Sequence, residues 1–485
     1  MMNSNKKQLG DFQTPAPLAD QILKLLKLKY QINPDFILEP TCGSGVFIQA
    51  SRNEFSHAKI MGFDINSHYI QLAQKSIECN QNQDNIILKQ ADFFTNNWQE
   101  ILSSVSGYLL ILGNPPWATS SELSRLNSHN IPTKSNFQNR RGIEAITGSA
   151  NFDISEWMLL QYIEWLSDRP GTIALLCKYS VARKVLQEIS KKYPSSFSTS
   201  IYLIDAKYYF NLSVQACLFR LSTDYKETND CPVYMDLKTQ GLCSVIGERD
   251  GFMVRDTKTY EQGKHWLGYN SKYLWHSGIK HDCSKVMELD QIGGNLFVNG
   301  LGEKYYLETD YLYPLLKGSD VANGRVKDYR KLMLVPQRWV GEDTRIIQDK
   351  APKTWQYLQD HDLFFTKRKS SIYRNKPPYA IFGVGDYSFM NWKIAISSLH
   401  KKLKFNLIGL LNNQPVMFDD TVNFLSFETA QEAESIFHYI TSQDVLQWLE
   451  SMIFWDSKRP ITVNLLNRLY LEKFASVNNF SLCHK

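Results

Sequence analysis

The sequence holds little with which to staple, anchor or metallate a protein. Its eight cysteines are scattered over 485 residues, with no Cys-x-x-Cys pair and no histidine cluster beside them. That spacing speaks against a disulfide framework and against structural zinc, and predicts a metal-free chain in a reducing, cytoplasmic compartment. No apolar run approaches the roughly 18–20 residues that span a bilayer, and the opening Met1-Met2-Asn3-Ser4-Asn5-Lys6-Lys7 lacks the apolar centre of a secretion signal. No membrane partner is therefore expected. Internal repeats, low-complexity segments and a Pro-Asp…Asp/Glu-x-Lys cluster of the kind found in nucleases are also missing. Net charge is only +5, which permits a polyanionic partner without requiring one.

Two common nucleotide loops are lacking as well. Phe36-Ile37-Leu38-Glu39-Pro40-Thr41-Cys42-Gly43-Ser44-Gly45-Val46-Phe47 reads as a short buried strand, a glycine-containing loop that lets backbone approach a ligand, and the start of a helix. No Lys-Ser/Thr follows the glycines, and the third glycine of the dinucleotide fingerprint is missing, which disfavours ATP and NAD. Cys42 invites assignment as a nucleophile, but no base is apparent beside it, and a small residue packed under the loop is the simpler expectation.

What is present is a succession of strand ends carrying polar side chains. Lys59-Ile60-Met61-Gly62-Phe63-Asp64-Ile65 ends in an acid at the position from which carboxylates hold ribose hydroxyls in doubly wound folds. Residues 85–89 form the next strand and lead to Ala91-Asp92-Phe93-Phe94, where an acid can accept from an adenine amine while an aromatic packs on the ring. The apolar run 108–111 then reaches Leu112-Gly113-Asn114-Pro115-Pro116-Trp117. The exocyclic amine of adenine, like an amide nitrogen, is delocalised and a poor nucleophile. The Asn114 side-chain oxygen and the Pro115 carbonyl can each accept one of its N–H groups, drawing the nitrogen toward tetrahedral geometry and exposing its lone pair. Pro115 and Pro116 stiffen this acceptor pair. Trp117 offers a flat face on which an extruded base could stack, worth roughly 1–3 kcal/mol in single-strand binders.

This succession resembles the gamma-class adenine-N6 DNA methyltransferases of restriction-modification systems, specifically over residues 8–222 and more loosely beyond. Gly10-Asp11-Phe12-Gln13-Thr14-Pro15 is similar to that family's N-terminal segment, with residues 18–28 following as an amphipathic helix. The resemblance implies that S-adenosyl-L-methionine is held by Thr14 at its methionine end and by Glu39, Pro40, Cys42, Gly43 and Gly45 around its pocket. It further implies Asp64 with Ile65 at the ribose and Asp92 with Phe93 at the adenine. Asn114, Pro115, Pro116 and Trp117 would act on the target base. Tyr208-Tyr209-Phe210-Asn211-Leu212-Ser213-Val214-Gln215-Ala216-Cys217-Leu218-Phe219 resembles the last catalytic motif, with Phe210, or else Tyr208 or Tyr209, against the flipped base. Trp117 departs from the Tyr or Phe usual at its position. The partners implied are double-stranded DNA and a cognate restriction endonuclease. An RNA adenine-N6 or a protein glutamine methyltransferase would use the same chemistry, and a non-catalytic DNA-specificity protein would use the fold alone. The basic, aromatic C-terminal part disfavours a protein substrate, and intact Asp92 and Asn114 disfavour a catalytically dead protein.

Seven apolar runs, near 36–39, 59–64, 85–90, 107–113, 171–177, 200–205 and 215–221, alternate with helical stretches that include 154–166 and 181–191. The expectation is an α/β, Rossmann-like, S-adenosylmethionine-dependent methyltransferase sheet with helices on both faces. The polar stretch 118–150 interrupts it just after Trp117, either as a mobile loop closing over the site or as plain disorder. Asn151-Phe152-Asp153, at its end, stands where the family lines its target pocket, and Asp153 also suits a helix N-cap. Past the polar stretch 223–231 the alternation is lost, so a catalytic domain is expected over 1–225 and a mixed α+β target-recognition domain over 226–485, closed by helices near 428–441 and 444–452. Cationic and aromatic residues concentrate there in Lys367, Arg368, Lys369, Tyr373, Arg374 and Lys376, joined by Arg338 and by His400-Lys401-Lys402-Leu403-Lys404. These predict DNA contact, with Gln337, Arg338, Arg374 and Asn375 as candidate readers of base edges. Residues 378–385 and 458–466 also look similar to recognition regions of the family.

Overall fold

All of the apolar runs but that of residues 85–90 become strands buried on both faces, which is why they read as near-continuous hydrophobic stretches rather than as alternation. The computed structural model describes residues 12–78, 85–118, 153–193, 196–223, 230–472 and 474. The loop expected over 118–150, apart from Ala118, and the residues Gly10, Asp11, Asn151 and Phe152 lie outside the described residues. The chain divides into two compact units, Met1–Thr257 and Lys258–Lys485.

In the first unit β1 (Phe36–Glu39), β2 (Lys59–Asp64), β3 (Ile86–Gln90), β4 (Leu109–Gly113), β5 (Gly171–Lys178), β6 (Ser198–Ile204) and β7 (Ala216–Ser222) follow the expected runs to within a few residues. Their order across the sheet is β3-β2-β1-β4-β5-β7-β6. Strands β3 through β5 pair in parallel, and β7 inserts antiparallel between β5 and β6. The chain turns from one half of the sheet to the other between β1 and β4, and the carboxyl ends of strands flanking such a switch point form a crevice. Leu110 and Leu112 of β4 join the core beneath α1 (Ala16–Leu28) and α2 (Val46–Glu54), while Leu109 and Ile111 are equally buried on the opposite face. Helix α1 opens with Pro17 in its first turn and buries Leu18, Ala19, Ile22, Leu23, Leu25 and Leu26, the three-to-four spacing of one helical face. Helices α3 (Ser67–Glu78), α4 (Trp98–Ser103), α5 (Ile154–Leu166), α6 (Tyr179–Lys192) and α7 (Ala206–Phe210) complete the alternation. Asp153 is the N-cap of α5, its side chain accepting from Ser155 N.

The first unit runs past residue 225. Strands β8 (Cys231–Tyr234), β9 (Leu242–Arg249) and β10 (Phe252–Val254) extend the same sheet to ten strands, β8 lying parallel to β6. The polar composition of 223–231 marks a connection within one sheet, and the divide falls between Thr257 and Lys258.

The second unit is mixed α+β. A six-stranded sheet and a four-stranded sheet supply its strands. Pairing is antiparallel throughout them except where Leu312–Leu316 meets Met417–Phe418. Helices Ala430–Ile440 and Gln443–Ser451 sit where the sequence expects them. No helix among the described residues is long and apolar enough to cross a membrane.

Gly171, at the start of β5, shows how closely the parallel strands approach. A Cβ there would lie 2.4 Å from the Leu109 carbonyl oxygen and 2.8 Å from Leu166 Cδ2. Gly171→Ala is expected to lower stability by about 1–3 kcal/mol through overpacking, read as a drop in Tm by calorimetry. An unchanged Tm would contradict this packing of β4, β5 and α5.

Candidate functional site

The carboxyl ends of β1, β2 and β4 converge on one pocket. Its lining includes Thr14, Glu39, Pro40, Cys42, Gly43, Asp64, Ile65, Phe93, Asn114 and Pro116 from among the residues singled out by sequence. Gly45, Asp92, Pro115, Trp117 and Phe210 are not among its lining residues.

The loop after β1 is shaped by its glycines. Gly43 (φ +51°) and Gly45 (φ +84°) occupy left-handed backbone, which a side chain disfavours. A Cβ on Gly43 would come within 2.9 Å of Gln13 Oε1, and one on Gly45 within 2.8 Å of the Ala73 Cβ. Asp64 binds the loop from β2: Oδ2 accepts Gly43 N at 2.9 Å and Oδ1 accepts Asn66 N at 2.8 Å. Gln13 clamps it from the other side, Oε1 accepting Ser44 Oγ at 3.0 Å and Ser44 N at 3.3 Å. Sequence reasoning passed over Gln13 as a functional residue. Its position inside a conspicuous Phe-Gln-Thr-Pro segment was the available signal.

Asn114 shows the clearest chemical asymmetry. Its Nδ2 donates to the Phe12 carbonyl oxygen at 2.7 Å. A carbonyl only accepts, so this bond settles which end of the amide is which. Asn114 Oδ1 is buried and has no hydrogen-bond partner among the described residues. It is a preformed acceptor, desolvated before any ligand arrives.

Glu39 is a second such group. It is 2% exposed, and its Oε2 has no partner among the described residues. Burial, and then the charge of Asp64, pushes its carboxyl well above the usual carboxylate range. The Tyr162 hydroxyl, fully buried and likewise without a partner, is pushed up by burial and then by Glu39. Burial with Glu39 and Asp64 also raises the Cys42 thiol, which keeps it protonated and suits packing rather than attack.

Aromatic residues form the remaining walls. Phe93 lines the pocket from within a cluster where its ring centre lies 5.2 Å from Trp98, 5.7 Å from Tyr162, 5.8 Å from Trp165 and 5.9 Å from Trp157. Asp92 spends Oδ1 on the backbone N–H of Phe94. Trp117 is 5% exposed, donates from Nε1 to the Leu176 carbonyl at 3.3 Å, and lies edge-to-face with Phe210 at 5.2 Å. Of the three aromatics at 208–210, Phe210 is therefore the one against Trp117, while Tyr208 is 78% exposed. The open indole face expected at Trp117 is covered in this state. Phe12, Tyr69, Phe94, Ile154 and Met158 also line the pocket. The i, i+4 spacing of Ile154 and Met158 at the start of α5 carried that signal, because it puts both on one helical face.

In the second unit Lys367, Lys369, Arg374 and Lys376 are exposed. Arg338 is exposed as well, its guanidinium 4.5 Å over the Phe389 ring. Arg368 is tied inward: Nη1 donates to the Ala380 carbonyl at 2.6 Å, Nε to Phe365 at 3.1 Å, and the guanidinium stacks 3.7 Å over Tyr373. The Tyr373 hydroxyl donates to the Lys280 carbonyl at 3.2 Å. Gln337 is 1% exposed with both ends of its amide bonded to backbone, so it is not placed to read a base edge. Among the described residues no group of three or more His, Cys, Asp or Glu gathers as for a metal.

Glu39→Gln keeps the shape of the side chain and removes its ionisation. Above the ordinary carboxyl value of 4.5 the unfolded chain loses its proton while folded Glu39 retains it, so wild-type stability falls as pH rises toward the raised folded value. The variant should melt above wild type without ligand, with the gap widening as pH is raised from about 5. Calorimetry over a pH series measures this, and a gap that is absent or constant would contradict a buried neutral carboxyl.

The model of the N-6 DNA Methylase family matches residues 1–258. Over 479 residues the chain is 43% identical to the Type II methyltransferase M.NspV of Nostoc sp., covering 98% of this chain and 99% of that protein. It is 32% identical over 118 residues, 24% of this chain and 27% of the other, to the Type II methyltransferase M.CvrRI of Paramecium bursaria Chlorella virus XZ-6E. The solved DNA complex of the Type IIL restriction-modification enzyme MmeI covers 96% of this chain and 73% of its own, with a TM-score of 0.45 at 11% identity. With a family match over more than half its length and a relative aligned almost end to end, this chain belongs to the N-6 DNA methylase family.

Proposed function

We propose that this protein is a site-specific DNA methyltransferase that moves a methyl group from S-adenosyl-L-methionine to the N6 amine of an adenine turned out of duplex DNA. It would serve as the cytoplasmic modification enzyme of a Type II restriction-modification system, with an endonuclease of the same specificity as its partner. The observation that carries this reading is the buried Asn114 Oδ1 just past the end of β4, without a partner among the described residues and fixed by the bond from Nδ2 to Phe12. The first unit supplies the chemistry and the second the recognition of DNA.

The pocket suits S-adenosylmethionine on its own features. Gly43 brings left-handed backbone without a side chain to its lining, and Glu39, whose Oε2 has no partner among the described residues, lines it as well. Thr14 and Glu39 would hold the methionine end, Asp64 the ribose hydroxyls, and Asp92 with Phe93 the adenine. When bound, the cofactor supplies an electrophilic methyl group on a sulfonium. Asn114 Oδ1 and the Pro115 carbonyl accept the two amine N–H groups of the target adenine, so that nitrogen's lone pair leaves conjugation and points along the line of attack. Trp117 and Phe210, edge-to-face at 5.2 Å, would have to part for a base to stack on either ring. Such contacts offset an extrusion that costs a few kcal/mol. Positioning the amine about 3–3.5 Å from the methyl carbon supplies much of the acceleration. The amine becomes cationic on methylation and then loses its proton, so no general base is needed before attack.

Isotope-labelled S-adenosylmethionine incubated with unmethylated plasmid, total RNA and protein tests the reading. Label in N6-methyladenine of DNA is the expected result, whereas label confined to RNA or protein would overturn the substrate. Asn114→Ala should cut turnover by about a hundredfold or more, as loss of one preorganised hydrogen-bonding group does, with duplex binding retained in a mobility-shift assay. Near-normal turnover would defeat the assignment. Alanine at Lys367 or Lys369 should weaken DNA binding across all sequences and reduce the slope of log K against log salt by about 0.9 for each phosphate that is no longer neutralised. A salt titration that leaves the slope of both variants unchanged would remove this segment from the interface.

A further inference from the structure

The second unit holds an indole out in water on a backbone that is anything but loose. Trp339 is 56% exposed and Val340 42%, in the turn that follows strand Lys331–Leu334. Gly341, next in the turn, has φ +99° and open space around it. Beneath the turn Gln337 is almost fully buried. Its Nε2 donates to the Trp339 carbonyl at 2.7 Å, which also accepts Glu342 N at 3.2 Å, and its Oε1 accepts Ile381 N at 3.0 Å. The Glu342 carboxylate in turn accepts the backbone N–H of Arg338. Trp339 therefore projects from peptide groups fixed on either side of it.

The same anchor holds the cationic stretch. Ile381 ends the buried segment 379–381, whose Ala380 carbonyl accepts Arg368 Nη1 at 2.6 Å, and the preceding Pro378 carbonyl accepts Thr344 Oγ1. Neighbouring peptide groups thus pin the Trp339 turn and the root of the Lys367–Lys369 cations to one scaffold. Arg338, Lys367 and Lys369 are exposed, while the acids of the turn are engaged, Glu342 with the Arg338 backbone and Asp343 with Arg345 at 2.7 Å. An exposed aromatic on a fixed backbone, with exposed cations rooted on the same scaffold, complements a polyanion whose interior is a stack of flat rings.

We propose that Trp339, with Val340, is an apolar wedge that enters a base step of duplex DNA and stacks on the face it uncovers. This rests on the second unit being the DNA-binding unit. Apolar wedges partly unstack the step they enter and bend the duplex, and pyrimidine–purine steps yield most easily. The exposed cations hold the phosphates on either side.

Once the methylated site has been mapped, duplexes carrying it are made with 2-aminopurine at each position outside the target adenine in turn, and full-length protein is titrated into each. Wild type should change the fluorescence sharply at one step. Trp339→Ala should lose that signal and bind the duplex about tenfold more weakly, the scale of one base–aromatic stack. Its salt slope and melting temperature should stay as in wild type, and Trp339→Phe should restore most of both signal and affinity. Wild-type affinity and signal in Trp339→Ala would overturn the wedge, and so would a loss that Phe does not repair or that comes with a shallower salt slope. If Trp339→Ala binds and methylates DNA as wild type does, the wedge alone has failed. If wild type shows the Trp339-dependent signal yet methylates no DNA, the methyltransferase reading has failed and the wedge stands.

Discussion

One hydrogen bond, from Asn114 Nδ2 to the Phe12 carbonyl, organises the pocket. It holds the described start of the chain against the end of β4, so that Phe12, Gln13 and Thr14 become walls of a site otherwise built from strand ends and helices. Gln13 can then reach Ser44, and the loop between β1 and α2 is gripped from both sides, by Gln13 and by Asp64. The same bond uses only the donor end of the amide and leaves the acceptor end facing the pocket. A side chain that satisfied both ends of Asn114 would bind no amine, and one that satisfied neither would leave the amide free to turn over.

The pocket is consequently a place of unmet polar demand. Asn114 Oδ1, Glu39 Oε2 and the Tyr162 hydroxyl are each buried without a partner among the described residues. A buried polar group left unsatisfied costs about 1–3 kcal/mol, and such groups are uncommon in folded proteins. Two of them, on Asn114 and Glu39, belong to residues lining one pocket, where a polar ligand can relieve that destabilisation. The scaffold offsets it with the both-face burial of β1 and β4 and with the helices over the core. Dense packing along β1 and β4 thus supports the open valences of Glu39 and Asn114 at their carboxyl ends.

That division explains what could be read from the chain. Strands such as 36–39 and 109–113 are apolar on both faces, and their periodicity is a local property of the sequence. The polar residues at their ends stand at turns, and turn chemistry is local too, so Glu39, Asp64 and Asn114 were visible. Three-dimensional contacts were not. Trp117 looked like an open stacking face because nothing in Asn-Pro-Pro-Trp reveals that Leu176, fifty-nine residues away, accepts its indole N–H. The expected break at 225 failed for a related reason. Polar composition reports that a segment is at the surface, and β8 returns to the sheet beyond it by pairing with β6, which only the fold brings near, with β9 and β10 added in turn.

The second unit shows the same limit from the side of charge. Counting cations over 366–376 treats Arg368 and Lys367 alike, yet Lys367 faces solvent while Arg368 spends its guanidinium on Ala380, Phe365 and the Tyr373 ring. A loop buried at its root has peptide groups that no strand or helix satisfies, and long polar side chains are what reach them. Arg368 serves Ala380 and Gln337 serves Ile381, so residues that look like readers of DNA are the pins of the loops that carry the exposed ones. A binding side chain on a loop is only as well placed as its backbone is fixed. The buried pins are thus the reason the exposed cations and Trp339 can present a defined surface.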